Sequence, residues 1–258
     1  MILDEILART RADLVARRAA TSLADLERAI AARGRPRSLA AALRRPGQIT
    51  CIAEFKRRSP SKGWIREGAG VADVVPRYAA AGAAALSVLT DQPFFGGSLP
   101  DLTAARGLVD IPILRKDFVV DAYQIAEARA AGADAVLLIV AALDDATLKG
   151  LFEATRRWGL EALVEAHDAG EVARAVAVGA EIIGVNHRDL RTFEMVPDLA
   201  IELRAQVPGD RVLVAESGIH TRADVERLLA GGIDAMLVGE SLMRAPDPAV
   251  ALRALLGS

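Results

Sequence analysis

Four segments of this chain are versions of one another: Ala81-Gly82-Ala83-Ala84-Ala85-Leu86, Ala131-Gly132-Ala133-Asp134-Ala135-Val136, Val178-Gly179-Ala180-Glu181-Ile182-Ile183 and Gly231-Gly232-Ile233-Asp234-Ala235-Met236. In each, a glycine follows an Ala-rich helical stretch and precedes a short apolar run. Glycine there can take the left-handed conformation that ends a helix, and a short loop then feeds a strand. Gly82, Gly132, Gly179 and Gly232 are 50, 47 and 53 residues apart, too long for one strand plus one helix and about right for two such units. A further strand is therefore expected in each interval, and the candidates are Ile113–Lys116, Leu160–Glu165 and Arg211–Glu216, with Ile49–Lys56 ahead of the first glycine. Eight strands then alternate with helices. Near-continuous apolar runs such as Val136–Val140 suit a parallel sheet covered on both faces, and right-handed crossovers close eight βα units into a (β/α)8 TIM barrel. An open doubly wound sheet is the alternative; the evenness of the repeats favours closure.

The first 48 residues do not fit the alternation. Ile2, Leu3, Ile6, Leu7 and Leu14 stand at helical spacing, as do Leu23, Leu26 and Ile30, so residues 1–48 are expected to form an extension of two or three amphipathic helices packed on the barrel. No Gly/Ser linker or low-complexity tract divides the chain, and residues 1–258 are expected to make one α/β domain. With 52% hydrophobic and 26% charged residues, disorder is excluded. Lys and Arg number 32 against 34 Asp and Glu, which leaves no basic footprint for nucleic acid. A single cysteine, Cys51, allows neither an internal disulfide nor a cysteine metal cage. The start, Met1-Ile2-Leu3-Asp4-Glu5, carries acids where a secretory signal needs basic residues, and no apolar run approaches the ~20 residues of a membrane span. A soluble, cytoplasmic protein is expected.

Active sites of parallel barrels lie at the carboxyl ends of the strands, which directs attention to the polar residues that end the apolar runs: Glu54 with Lys56, Thr90, Lys116 with Asp117, Glu165, Asn186, Glu216 with Ser217, and Gly239 with Glu240. Charge is expected wherever a strand meets water. Here, however, acids and lysines recur at corresponding places on the odd-numbered strands, and alternate strands share interior layers. Such convergent groups shift one another's pKa and suit proton transfer on an anionic substrate. Two segments have the form of phosphate grips, Glu216-Ser217-Gly218-Ile219 and Leu237-Val238-Gly239-Glu240-Ser241, where glycine and free N–H groups at a helix start can approach an anion; ordinary βα turns have the same composition. The loop from Lys56 to Glu67 is long enough to act as a lid or to be a mobile surface loop. Phe94 and Phe95 could stack an aryl group or pack beneath a loop. His167, His187 and His220 are scattered without metal-ligand spacing, so no metal is expected.

Taken in order, Ile52-Ala53-Glu54-Phe55-Lys56-Arg57-Arg58-Ser59-Pro60-Ser61, Ser87-Val88-Leu89-Thr90, Phe95 with Gly97-Ser98, Leu114-Arg115-Lys116-Asp117-Phe118, Leu163-Val164-Glu165, Gly184-Val185-Asn186, Arg188-Asp189-Leu190, Ala215-Glu216-Ser217-Gly218-Ile219 and Leu237-Val238-Gly239 resemble the indole-3-glycerol-phosphate synthase family of tryptophan biosynthesis. The resemblance runs along nearly the whole chain, including the helical extension. It departs from the usual pattern at His187, where the family often has Asn, and at Glu240, where some members have Ser.

The resemblance implies a carboxy-lyase acting on 1-(2-carboxyphenylamino)-1-deoxyribulose 5-phosphate: the aryl ring attacks the ketone carbon, carbon dioxide leaves, and water is lost. It implies Lys116 as the acid of ring closure and Glu165 as the base, with Lys56 and Glu54 sharing the later proton transfers. Asn186 and Glu216 would orient the reacting oxygens, with Ser217 beside them. Ser59, Pro60, Phe95, Phe118 and Arg188 would bind the substrate, the two phenylalanines flanking its ring. Lys56, Ser217, Gly218, Gly239 and Glu240 would meet the phosphate, Glu240 through its backbone. No cofactor is required, the one partner is the small aryl-amino sugar phosphate, and a monomer or weak homodimer is expected. Rivals are another phosphate-binding barrel enzyme such as phosphoribosylanthranilate isomerase, a Schiff-base aldolase, and a non-catalytic phosphate-binding barrel.

Overall fold

A computed structural model of the chain describes residues 2–189 and 194–258; Met1 and Leu190, both named above, lie outside them. Eight parallel strands close into a barrel: β1 (Thr50–Phe55), β2 (Ala85–Leu89), β3 (Ile113–Lys116), β4 (Ala135–Ile139), β5 (Glu161–Ala166), β6 (Ile182–Asn186), β7 (Val212–Glu216) and β8 (Ala235–Val238). Each pairs with the next, and β8 returns to β1 with Thr50 opposite Ala235 and Ala53 opposite Val238. The expected strands hold to within a residue or so at each end.

The four repeats are helix-to-strand joints. Gly82, Gly132, Gly179 and Gly232 all have left-handed backbones, with φ of 97°, 102°, 86° and 76°. The residue after each donates its N–H five residues back into the helix (Ala83 to Tyr78, Ala133 to Ala128, Ala180 to Ala175, Ile233 to Leu228), the bond that closes a helix end of this kind. One residue later the chain is already bonded to the neighbouring strand, as in Ala84 N–H to Cys51 and Asp134 N–H to Ile113. A β-branched or bulky residue at these four positions would block the turn.

Alternation within each strand sorts its side chains into two layers. Cys51, Ala53 and Phe55 of β1 face the helices, whereas Ile52 points into the barrel, where Leu114, Leu163, Ile182, Val214 and Leu237 meet it. Glu54, two residues past Ile52, Lys116, two past Leu114, and Glu165, two past Leu163, inherit the inward direction. Burial keeps the Cys51 thiol well above its ordinary range, so it behaves as a small apolar side chain.

The extension forms three helices, α1 (Ile2–Ala20), α2 (Leu23–Ala31) and α3 (Leu39–Leu43). Leu39 and Leu43 of α3 are fully buried, and Thr50 Oγ1, at the amino end of β1, donates to the Leu43 carbonyl at 3.0 Å. Glu161, at the amino end of β5, accepts from Ser38 Oγ at 2.7 Å and from Ala40 N–H at 2.8 Å. These bonds seat α3 on the amino-terminal end of the barrel. Leu14 and Leu26 instead pack against Tyr123 and Ala126 on the outside, and the Tyr123 hydroxyl donates to the Thr21 carbonyl at 2.7 Å. Among the described residues, no helix is long and apolar enough to cross a membrane.

Candidate active site

The strands' carboxyl ends surround one pocket, and every residue singled out above as catalytic, substrate-binding or phosphate-binding lines it. Glu54 and Glu165 are almost wholly buried, as is Glu216. The Lys116 ammonium lies 3.4 Å from Glu165 Oε2 and 3.6 Å from Glu216 Oε2. Lys56 Nζ lies 2.7 Å from Glu54 Oε1, whose other oxygen accepts from Ser87 Oγ at 3.1 Å. Two glycines leave room for these carboxylates. A Cβ on Gly184 would stand 2.3 Å from Glu216 Oε1, and one on Gly239 would stand 2.5 Å from Glu54 Oε1.

The charges set one another. Burial alone would drive the Lys116 ammonium down, but Glu165, Glu216 and Glu54 together hold it above its ordinary range. Burial would likewise raise Glu165; Lys116 and His167 outweigh it and keep this carboxyl well below the usual range, ionised. Glu216 goes the other way: burial and the Glu165 charge exceed what Lys116 returns and push its carboxyl well above the usual range. Glu54 is buried too, yet Lys56 and Lys116 hold it low. The pocket thus sets an ammonium between two carboxyl groups whose pKa values are pushed in opposite directions, the arrangement that acid–base chemistry uses.

The phosphate-grip segments also take shape. Ser217 has a left-handed backbone at φ 69°, a strained conformation for a non-glycine residue that often marks a functional turn. Its Oγ donates to Asn186 Oδ1 at 2.8 Å, and the Arg188 N–H donates to the same oxygen at 3.0 Å, so the Asn186 amide is fixed. Gly218 follows at φ 73°. Gly239 and Glu240 begin the short helix Glu240–Arg244. The Glu240 carboxylate lies 3.0 Å from Arg244 Nε, which turns it along its own helix.

His187 does not add a charge beside Asn186. Its Nδ1 is 3.2 Å from the Ser217 carbonyl, and Nε2 accepts from the Ala200 N–H at 3.4 Å. Burial lowers its pKa, so it is a neutral strut that ties the Ser217 turn to the following helix. Thr90 and Asp117 belong to a separate network. Fully buried Arg115 pairs with Asp117 at 2.7 Å and donates to Thr90 Oγ1 at 2.9 Å, while Asp117 accepts the Phe118 N–H at 2.8 Å. That network shapes the turn after β3 and so aims Phe118.

Phe95 and Phe118 form one apolar wall, with centroids 6.0 Å apart and planes at 38°. Phe94 packs into the core next to it. The 56–67 loop is a folded hairpin, with Arg58–Ser59 antiparallel to Gly63–Trp64. Arg57 anchors its base through a two-bond pair with Asp101, at 2.7 and 2.9 Å, and a bond to the Ala69 carbonyl at 2.8 Å.

Sequence reasoning missed two features of the site, one in the pocket lining and one behind it. Ile2, Leu3 and Ile6 of α1 line it, although their helical spacing marked them only as packing residues. His167 touches both Glu165 and Glu171; the signal is its place two residues beyond Glu165, just past the strand, and four before Glu171. Among the described residues, no group of three or more His, Cys, Asp or Glu side chains is arranged to hold a metal ion.

Comparison with known proteins agrees with this geometry. Among solved structures, a 3-hexulose-6-phosphate synthase superposes with a TM-score of 0.63 over 81% of this chain and 99% of its own, at 16% identity. Thiamine phosphate pyrophosphorylase from Pyrococcus furiosus superposes at 0.61 over 81% of this chain and 94% of its own, at 17% identity. These likenesses establish the barrel alone. At the level of sequence, the chain is 54% identical to indole-3-glycerol phosphate synthase of Nocardioides sp. (strain JS614), over 99% of this chain and 98% of that one. It is 50% identical to indole-3-glycerol phosphate synthase 2 of Streptomyces coelicolor, over 99% of each chain. A family model described as indole-3-glycerol phosphate synthase matches residues 3–255, and this chain belongs to that family.

Proposed function

We propose that the pocket converts 1-(2-carboxyphenylamino)-1-deoxyribulose 5-phosphate to indole-3-glycerol phosphate, carbon dioxide and water, with proton transfers made by its own lysines and glutamates. The observation that carries this reading is the Lys116–Glu165–Glu216 cluster at the foot of an aromatic-walled pocket.

In the first step the aryl carbon bonds to the ketone carbon, and the carbonyl oxygen gains negative charge. Lys116, with its pKa raised by three carboxyl groups, is a poor donor to a ketone and a good one to an alkoxide. It therefore acts as the charge develops, which stabilises the transition state more than the ground state. Loss of carbon dioxide leaves its electron pair in the ring system. The new hydroxyl then departs as water after protonation by Lys56, and Glu165 accepts the proton that restores the aromatic ring. Glu54 orients Lys56 through the 2.7 Å pair. Glu216, with its pKa raised by burial and by Glu165, donates to a reacting oxygen, and the fixed amide of Asn186 orients it.

Phe95 and Phe118 support the substrate ring, with Ile2, Leu3 and Ile6 completing the apolar side. Arg188 meets the substrate carboxylate, and Ser59 and Pro60 close over the sugar. The backbone N–H groups at Ser217, Gly218, Gly239 and Glu240, with the Lys56 ammonium, take the phosphate, as at the ends of strands seven and eight in other barrels. The extension and barrel act as one domain, a reading supported by the α3 contacts, and the protein works as a monomer or weak homodimer.

The test is a continuous fluorescence assay for the indole product, using purified protein and the carboxyphenylamino-deoxyribulose phosphate with chelator present. Product formation is expected. Tight binding without product would leave a phosphate-binding barrel of another function.

A further inference from the structure

Glu165 has a basic side chain at each oxygen. Lys116 Nζ is 3.4 Å from Oε2, and His167 Nε2 is 3.3 Å from Oε1. His167 follows β5 directly and, two residues beyond Glu165, shares its face. Its side chain is only 8% exposed. The other ring nitrogen, Nδ1, lies 3.1 Å from Glu171 Oε2, in the first turn of the helix Ala169–Ala177. The same Glu171 oxygen accepts the His167 backbone N–H at 2.8 Å, and the Glu171 N–H is capped by Asp168 at 2.8 Å. The imidazole is thus held from both sides.

We propose that His167, braced by Glu171, is a positioning residue that holds one oxygen of Glu165 and leaves the other directed at Lys116 and the substrate. This rests on the reading of Glu165 as the base of the reaction. A carboxylate on a flexible side chain presents either oxygen over a range of angles; fixing one of them defines where the other accepts its proton. The His167 Nε2 contact has the distance of an ion pair but not the alignment of a hydrogen bond, so its hold is chiefly electrostatic and depends on the imidazole being charged. The charged groups facing His167 are Glu165 on the strand just before it and Glu171 on the following helix. Those facing Glu165 are His167, Lys116 from β3 and Glu216 from β7. Burial opposes a charged imidazole, and the two carboxylates outweigh it, lifting the His167 pKa to about 10. At neutral pH both ring nitrogens therefore carry protons, one for each carboxylate.

The experiment measures kcat and KM across pH for His167→Ala, His167→Gln, Glu171→Gln and Glu165→Gln, with folding checked by circular dichroism. His167→Ala is expected to lower kcat by about tenfold or more, to change KM less than threefold, and to move the acidic limb of the kcat profile to higher pH. Gln keeps a donor near Nε2 without the charge, so His167→Gln should recover part of the rate while keeping the displaced limb. Glu171→Gln should displace it less. If His167→Ala does not fold, the other two variants carry the same test. A folded His167→Ala or His167→Gln enzyme with wild-type kcat and an unmoved acidic limb overturns the proposal. If Glu165→Gln also retains turnover, the assignment of Glu165 as base falls with it; if Glu165→Gln is inactive, only the role of His167 does.

Discussion

Gly184, on β6, faces the Glu216 carboxyl so closely that a Cβ would come within 2.3 Å of Oε1 and 3.2 Å of Leu163 Cδ1. The glycine is a space in the strand that an acid from the next strand occupies, and burial and Glu165 push the pKa of that acid well above the usual range. Gly184→Ala should therefore push the end of Glu216 away from Lys116. Because the displaced atoms are the tip of a flexible side chain, the cost in stability should stay near 1 kcal/mol. Turnover should fall by about tenfold or more. Melting temperature measured beside kcat separates the two, and a loss of stability without loss of kcat would contradict this use of the space.

The left-handed Ser217 gives a second expectation. Glycine would relieve a strain of roughly 1 kcal/mol but also lose backbone entropy and the Oγ bond to Asn186. These effects offset, so Ser217→Gly should leave stability within about 1 kcal/mol. The loosened turn should weaken the grip on the phosphate, which a several-fold rise in the inhibition constant of inorganic phosphate would report.

Asp134 does its work at the opposite end of the barrel. It accepts from Ile113 N–H and Arg37 N–H, both at 2.8 Å, and pairs with Arg106 at 2.7 Å. Asp134→Ala would leave a buried N–H and a largely buried guanidinium without this partner, a loss on the order of 3–5 kcal/mol. Urea unfolding should show that loss, while kcat of the remaining folded enzyme stays within about twofold of wild type.

A pH dependence of stability follows from His167. Its folded value of about 10 lies above the ordinary 6.5, so the stabilisation is fully present below pH 6.5 and is lost as pH rises toward 10. Wild type should lose more stability than His167→Gln between pH 6 and 9.5, by on the order of a few kcal/mol at most. Parallel curves for the two proteins would contradict it.

Much of this arrangement was legible in the sequence because its physics is local. A glycine that ends a helix and starts a strand must adopt positive φ, and four of them at even spacing specify the barrel. Two-residue alternation then carries Lys116 and Glu165 inward from Leu114 and Leu163. Other parts depend on distant elements. Nothing near Ile2 and Ile6 in the chain indicates that α1 reaches the mouth, since α3 of the same extension sits at the other end. Thr90 and Asp117 end their strands as Glu165 does; it is the fully buried Arg115 that draws them into a structural network. His167 lacks the spacing of a metal ligand, and the two carboxylates that hold it come together only where the strand turns into the next helix.

The central claim is that Lys116 supplies the proton for ring closure, and it is tested most directly by Lys116→Met. The measurement is single-turnover formation of the fluorescent indole product, beside the equilibrium affinity of the variant for the carboxyphenylamino-deoxyribulose phosphate. Product formation should slow by about 10²–10⁴, with affinity changed only a few-fold. Product formed at the wild-type rate would contradict the assignment, as would a loss of rate fully matched by a loss of binding.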